Sequence, residues 1–150
     1  MPTAVLLAAT VTTGLMAGLF TGFAYAVMPG LARTDDRTFV EAMRRINEAI
    51  VNGWFLPAFL GAPVLSAVAV VLRPGGADVL PWLVAGLALN AVGMFGVTVA
   101  ANVPLNNRLA AADDPAAART WFERRWVRWN VVRAVAALGA FCCLALALVR

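Results

Sequence analysis

Four stretches of this chain carry no charged residue and approach or exceed the length that crosses a bilayer. Residues 4–28, 52–72 and 79–103 hold 25, 21 and 25 residues; residues 134–149 hold 16, and that stretch reaches back to Asn130 if Arg133 lies near an interface. A hydrocarbon core about 30 Å thick needs about 20 helical residues at about 1.5 Å each. Apolar residues make up 62% of the chain and charged residues 13%, against about 45–50% and about 25% in a soluble domain. With 150 residues there is room for one domain, and its core cannot hide the excess. A soluble globular domain and a disordered chain are therefore excluded. The prediction is an all-α, four-transmembrane-helix bundle, a single integral membrane domain over residues 1–150, with helices at about 4–28, 52–72, 79–103 and 130–149. Ala24-Tyr25-Ala26 fits a small-x-small cleavage pattern. The first stretch still reads as a retained helix, because no basic segment precedes it and it outruns a signal-peptide core.

All 12 basic residues are Arg, with no Lys and no His. The segment after the first stretch holds Arg33, Arg37, Arg44 and Arg45, and the segment after the third holds Arg108, Arg119, Arg124, Arg125 and Arg128. The other side has Arg73 and Arg150. This bias puts both long loops in the cytoplasm and both termini outside, with a bacterial cytoplasmic membrane as the expected location. Read as a topology signal, the net charge of +4 does not point to nucleic acid. Cys142 and Cys143 are adjacent in an apolar run, which precludes an unstrained disulfide and leaves them as small packed or lipid-facing residues.

Each long loop carries a predicted amphipathic interfacial helix, at about 35–51 and 115–129. Thr34-Asp35-Asp36 supplies a cap, followed by Phe39, Val40, Met43, Ile46 and Ile50 at helical spacing; Asp113-Asp114-Pro115 begins the second, with Phe122, Trp126 and Trp129 on one stripe. Such helices are expected to lie in the headgroup layer with the apolar stripe inward. Pro29 with Arg33 and Pro104 with Arg108 share a spacing, and each pair precedes an Asp-Asp, a Phe, a Glu, an Arg-Arg and a Trp. Either the chain repeats a helical hairpin about an axis along the membrane normal, or similar loops converged on similar chemistry. Gly14, Gly18, Gly22 and Ala26 form a small-xxx-small ladder. It serves packing within the bundle or a homo-oligomer through the Gly14, Gly18, Gly22 face. Pro63 should bend the second helix, where Pro57 bends it too or marks its first turn, and Pro104 is a candidate break in the third.

The absence of His removes the usual near-neutral base and the usual nitrogen metal ligand. No metal site, Gly-rich phosphate loop or Ser-His-Asp set is present in the sequence, and carboxylates occur only in loops, which disfavours a proton-driven transporter. What remains gathers at one membrane edge. Thr98, Asn102 and Asn106 share a face if the third helix continues, Trp126, Trp129, Asn130 and Arg133 start the fourth, and Tyr25, Asn47 and Asn52 come from the first half. Arg133 either snorkels to the edge or points inward as a donor to an oxyanion or to Asn carbonyls. The Trp residues are interface anchors or ligand stackers, and the Asn residues are helix caps or ligand contacts.

The pattern Asn102-Val103-Pro104-Leu105-Asn106, then Trp126, Trp129-Asn130 and Arg133, resembles the DUF1772 family, which includes the anthrone oxygenases; Tyr25-x-x-Met28-Pro29-Gly30-Leu31 and Ile46-Asn47 also fit. The resemblance covers essentially the whole chain. It implies an oxygenase that oxidises a polycyclic aromatic phenol with O2 and needs no cofactor, in an apolar pocket at the cytoplasmic membrane edge. By that resemblance Arg133, Asn130 and Asn102 are the expected catalytic donors. Trp126 and Trp129 stack the ring, and Asn106, Tyr25, Asn47 and Asn52 complete substrate binding. The base is Tyr25 or solvent hydroxide, or none is needed for a readily acidified substrate. Many members have His directly after the Asn of the fourth-helix motif and Thr after the Arg; here those places hold Val131 and Ala134. The rival reading is a non-catalytic membrane module that binds a lipid, a quinone or a partner subunit. The bilayer and a hydrophobic aromatic small molecule are the expected partners.

Overall fold

The apolar stretches fold as helices that outrun them. The computed structural model describes residues 2–150 as five helices: α1 (Pro2–Leu31), α2 (Asp36–Ala49), α3 (Phe55–Leu72), α4 (Leu80–Ala110) and α5 (Pro115–Leu148). All but α2 are long and apolar enough to cross a membrane, and the chain is an integral membrane protein. α1 packs along α3 and α5, and α4 packs along α5 and α3, closing a four-helix ring. The turn between α3 and α4 uses left-handed backbone at Arg73, Gly75 and Gly76, which lets it reverse tightly.

Neither Pro29 nor Pro104 ends its helix. A proline lacks the N–H its turn needs, and its ring crowds the carbonyl four residues back. Each is preceded by a widened π turn, Phe23–Val27 in α1 and Thr98–Asn102 in α4, which contains that crowded carbonyl. The helices therefore continue to Leu31 and Ala110 rather than stopping near residues 28 and 103. The two π turns stand in the same register to their prolines, a structural echo of the repeat suggested by the loops.

The loop segments also differ from the expected pair of headgroup-layer helices. Residues 115–129 are not a separate helix; they are the first half of α5, whose 34 residues span about 51 Å. Asp114 caps it through the amides of Ala116 and Ala117. The apolar face of α2 is buried on protein, with Phe39, Val40 and Met43 against Leu109, Ala118, Phe122 and Trp126. The rings of Phe39 and Phe122 meet edge-on at 6.3 Å. Two arginines fasten this layer to the ends of the spanning helices, where carbonyls lack helical donors. Arg119 of α5 donates to the carbonyls of Ala32 (2.9 Å) and Thr34 (2.8 Å), just past α1. Arg44 of α2 donates to the carbonyl of Leu109 (3.0 Å) and to that of Ala112, at the end of α4.

Close helix approach occurs between α4 and α5, not along the Gly ladder. A Cβ on Gly93 would lie 2.5 Å from the Ala136 Cβ, and one on Gly86 would lie 2.9 Å from the Leu144 side chain. On the ladder only Gly14 is tightly covered, by Phe141 of α5; Gly18 and Gly22 have open space. One polar node ties the bundle interior. Asn90 of α4 donates to Thr13 of α1 (2.9 Å) and to Ser66 of α3 (3.0 Å). This node had a readable signal, an Asn midway along an uncharged helix, where polar residues face the bundle interior.

Candidate functional site

At the loop-bearing end, α1, α3, α4 and α5 spread around a cavity of about 400 Å³, roofed by the last turns of α2. That lies within the range of about 300–1,000 Å³ usual for small-molecule sites. Its buried floor comprises Phe20, Phe59, Thr98, Asn102, Trp126 and Arg133. Its exposed mouth lies between Glu48, Val51 and Leu56 on one side and Val103, Asn107 and Ala110 on the other. Phe55 and Phe59 stack at 5.2 Å, and Phe59 meets Phe95 at 5.4 Å, making one wall aromatic.

Arg133 does not snorkel. It is 7% exposed. Its Nε donates to the Asn130 carbonyl oxygen (3.1 Å) and its Nη1 to the Thr98 hydroxyl (3.4 Å). Its guanidinium lies 4.2 Å from the centre of the Phe20 ring and 5.2 Å from that of Trp126, within cation–π range. Among the described residues, the ion pairs within 4.0 Å are Arg45–Glu41, Arg119–Asp36 and Arg119–Glu123, so Arg133 has no carboxylate partner. Arg45's hydrogen bond and charge hold the Glu41 carboxyl below its ordinary range. A buried cation normally requires a counter-charge, because desolvation is costly. Here neutral dipoles and ring faces supply only part of one.

Asn102 is the second anomaly. It is 1% exposed, and neither its amide nitrogen nor its carbonyl oxygen has a hydrogen-bond partner. Each unpaired buried polar group costs about 1–3 kcal/mol, and such groups are rare enough to call for an explanation. Both residues line the same cavity. Trp126 completes the floor, its indole N–H fixed on the Asn106 carbonyl oxygen at 2.8 Å. Together they can receive a flat ligand that presents an anionic oxygen inward, offering it guanidinium and amide donors.

The structure brings Asn47, Asn102, Asn106, Trp126 and Arg133 to this cavity. Asn130 lies behind the floor, fully buried; it donates to the Phe20 carbonyl at 3.0 Å and accepts from Arg133, holding the guanidinium in place. Three other sequence candidates fall elsewhere. Tyr25 sits in the α1 π turn, 74% exposed and outside the cavity lining. Trp129, 40% exposed, is three residues beyond Trp126 and turns off the floor. Asn52 caps the start of α3, accepting from the amides of Trp54 and Phe55. Thr98, grouped with Asn102 and Asn106 in the sequence, lines the cavity too, and Phe20, Phe59, Arg44 and Glu48 join the lining without having been singled out, because long-range packing of α1, α2 and α3 brings them there. Val131 is 43% exposed and does not line the cavity. Among the described residues no group of three or more His, Cys, Asp or Glu side chains converges as metal ligands would.

The family model described as anthrone oxygenase matches residues 52–143, which contain α3, α4 and most of α5 and hence Asn102, Asn106, Trp126, Asn130 and Arg133. No curated protein and no solved structure matches the chain.

Proposed function

The chain belongs to the anthrone oxygenase family, and from that premise we propose that its cavity oxidises a polycyclic aromatic phenol with O2, converting a ring methylene to a carbonyl without a bound cofactor. The observation that carries this reading is the pair of incomplete groups on one floor: Arg133 without a carboxylate and Asn102 without any partner. A phenolate oxygen supplies the negative charge that Arg133 lacks and an acceptor for the Asn102 amide N–H.

The chemistry draws its electrons from the substrate. Loss of a methylene proton spreads the electron pair across the central ring to the carbonyl oxygen, which becomes a phenolate. O2 accepts electrons from that anion, and the resulting radicals combine at the former methylene carbon. Loss of water then leaves the quinone. One oxygen atom ends in the carbonyl and the other in water, and the methylene undergoes a four-electron oxidation. The protein's part is to stabilise the anion and exclude water. Arg133, oriented by Asn130 and Thr98, holds the anionic oxygen beside Asn102. Trp126, pinned by Asn106, and the Phe55–Phe59 stack flank the flat rings. We place this end of the bundle at the cytoplasmic face, with both termini outside, on the distribution of arginines.

The test is O2 uptake by the purified protein in detergent, supplied with an anthrone. Uptake well above the spontaneous rate, lost in Arg133→Leu while the variant still purifies as a folded species, is the expected result. Uptake no faster than the spontaneous oxidation would overturn the oxygenase reading in favour of a non-catalytic module that binds a lipid, a quinone or a partner subunit.

A further inference from the structure

The oxidation begins with removal of a carbon-bound proton, and the chain has no His to take it. Tyr25 is outside the cavity. Three charged side chains line it: Arg44, Glu48 and Arg133. Arg133 stays protonated on the floor, and Arg44 is committed to the carbonyls of Leu109 and Ala112. That leaves a single side chain able to accept a proton at neutral pH. Glu48 is an exposed lining residue at the mouth, with no cation within 4.0 Å of its carboxylate among the described residues. Glu41, seven residues earlier on the same helix, is paired with Arg45 at 2.6 Å and lies outside the cavity.

We propose that the Glu48 carboxylate is the general base, taking the methylene proton at the cavity mouth while Arg133 and Asn102 hold the oxygen that gains the charge on the floor. In an anthrone the methylene and the carbonyl lie across the central ring from each other. A ligand with its oxygen on the floor therefore turns its methylene toward the mouth. In the step, a carbon–hydrogen bond breaks and an oxygen–hydrogen bond forms on Glu48. The electron pair moves through the ring to the oxygen at Arg133, and Glu48 passes its proton to water at the exposed mouth. O2 enters only afterwards, as the electron acceptor.

This inference rests on the oxygenase reading, and proton transfer separates the two because it can be followed without O2. The full-length protein in detergent is mixed anaerobically with anthrone in D2O, and deuterium entering the methylene is read by mass spectrometry, with O2 uptake measured in parallel. The wild type should accelerate both. Glu48→Gln should slow the protein-dependent exchange by about 10²-fold or more, the usual worth of a positioned base. Glu48→Asp should keep part of the rate, and Glu41→Gln all of it. An isosteric change at an exposed site leaves the fold intact, which an unchanged elution profile verifies. If Glu48→Gln exchanges as fast as wild type, or if wild type consumes O2 without accelerating exchange, Glu48 is not the base and the oxygenase reading stands. If wild type accelerates neither process, the oxygenase reading itself fails and this inference fails with it.

Discussion

Carrying the offset between Pro29 and Pro104 along the chain pairs Arg33 with Arg108, Trp54 with Trp129, and the π turn at Phe23–Val27 with that at Thr98–Asn102. The two hairpins thus share their proline, their widened turn and their interfacial Trp. They differ in what they present at matching places. Phe23, Val27, Phe55 and Ala58 of the first hairpin correspond to Thr98, Asn102, Asn130 and Arg133 of the second. One half contributes mainly an apolar wall and the other most of the polar floor. Matching places with polar groups on one side only make a two-faced cavity, which on the proposed reading takes a flat molecule with one charged edge. The polar node at Asn90 shows the contrast in another way. Asn90 spends both amide hydrogens on Thr13 and Ser66, whereas Asn102 spends none. The first arrangement ties helices together and leaves only the Asn90 Oδ1 unpartnered; on the proposed reading the second receives a ligand.

Removing the asymmetry at its strongest point should have the largest effect. Arg133→Leu is expected to lower turnover about 10²–10³-fold, the usual worth of a preorganised donor to a developing oxyanion, as measured by O2 uptake above the spontaneous rate. Equal turnover would put the anion-binding role elsewhere. Asn102→Leu should have two consequences of opposite sign. Losing two unpaired polar atoms should stabilise the protein by about 1–3 kcal/mol in a detergent unfolding titration, while turnover falls about tenfold or more. A variant both less stable and fully active would mean that Asn102 is structural.

How much of this was legible in the residues follows from what sets each feature. The bilayer demands about 20 apolar residues whatever the fold, so the four spans stand out in the sequence. Their ends do not, because α1, α4 and α5 stay helical beyond the hydrocarbon, through Pro29, Pro104 and the charged start of α5. Depth was also readable, and it gathered Arg133, Asn102, Asn106, Trp126 and Asn47 with Tyr25, Asn52 and Trp129. Azimuth was not. A π turn inserts a residue worth about 100° of rotation, so the direction in which Tyr25 points depends on a local widening that periodicity does not reveal. Trp126 and Trp129, three apart, fall on either side of the boundary between floor and surface. The contribution of Glu48 depends on α2 folding back over the cavity, a contact between distant segments.

Packing contrasts give smaller effects. Gly93→Ala places a methyl against Ala136 and should cost about 1–3 kcal/mol as α4 and α5 are forced apart. Gly18→Ala, with nothing within 4 Å, should leave unfolding unchanged within about 1 kcal/mol. A large loss at Gly18 would point to a partner seated on that face. The smallest effect is on the α2 cap. Asp35 accepts from the Thr38 hydroxyl and amide, which hold its carboxyl below the usual range. Its contribution is therefore complete above the unfolded value near pH 4 and is lost as pH falls through the lowered folded value. Amide exchange in α2 should rise at that point, and Asp35→Ala should abolish the pH step.

On the proposed reading, the buried guanidinium of Arg133, without a carboxylate, is a receptor for a phenolate. A dihydroxyanthraquinone reports on this directly, because its absorbance shifts to the red when it ionises. Titrated into the purified protein below the dye's own ionisation pH, it should bind as the red-shifted anion, and Arg133→Leu should remove the shift. A dye that binds with the neutral spectrum, or a shift unchanged in Arg133→Leu, would contradict the claim.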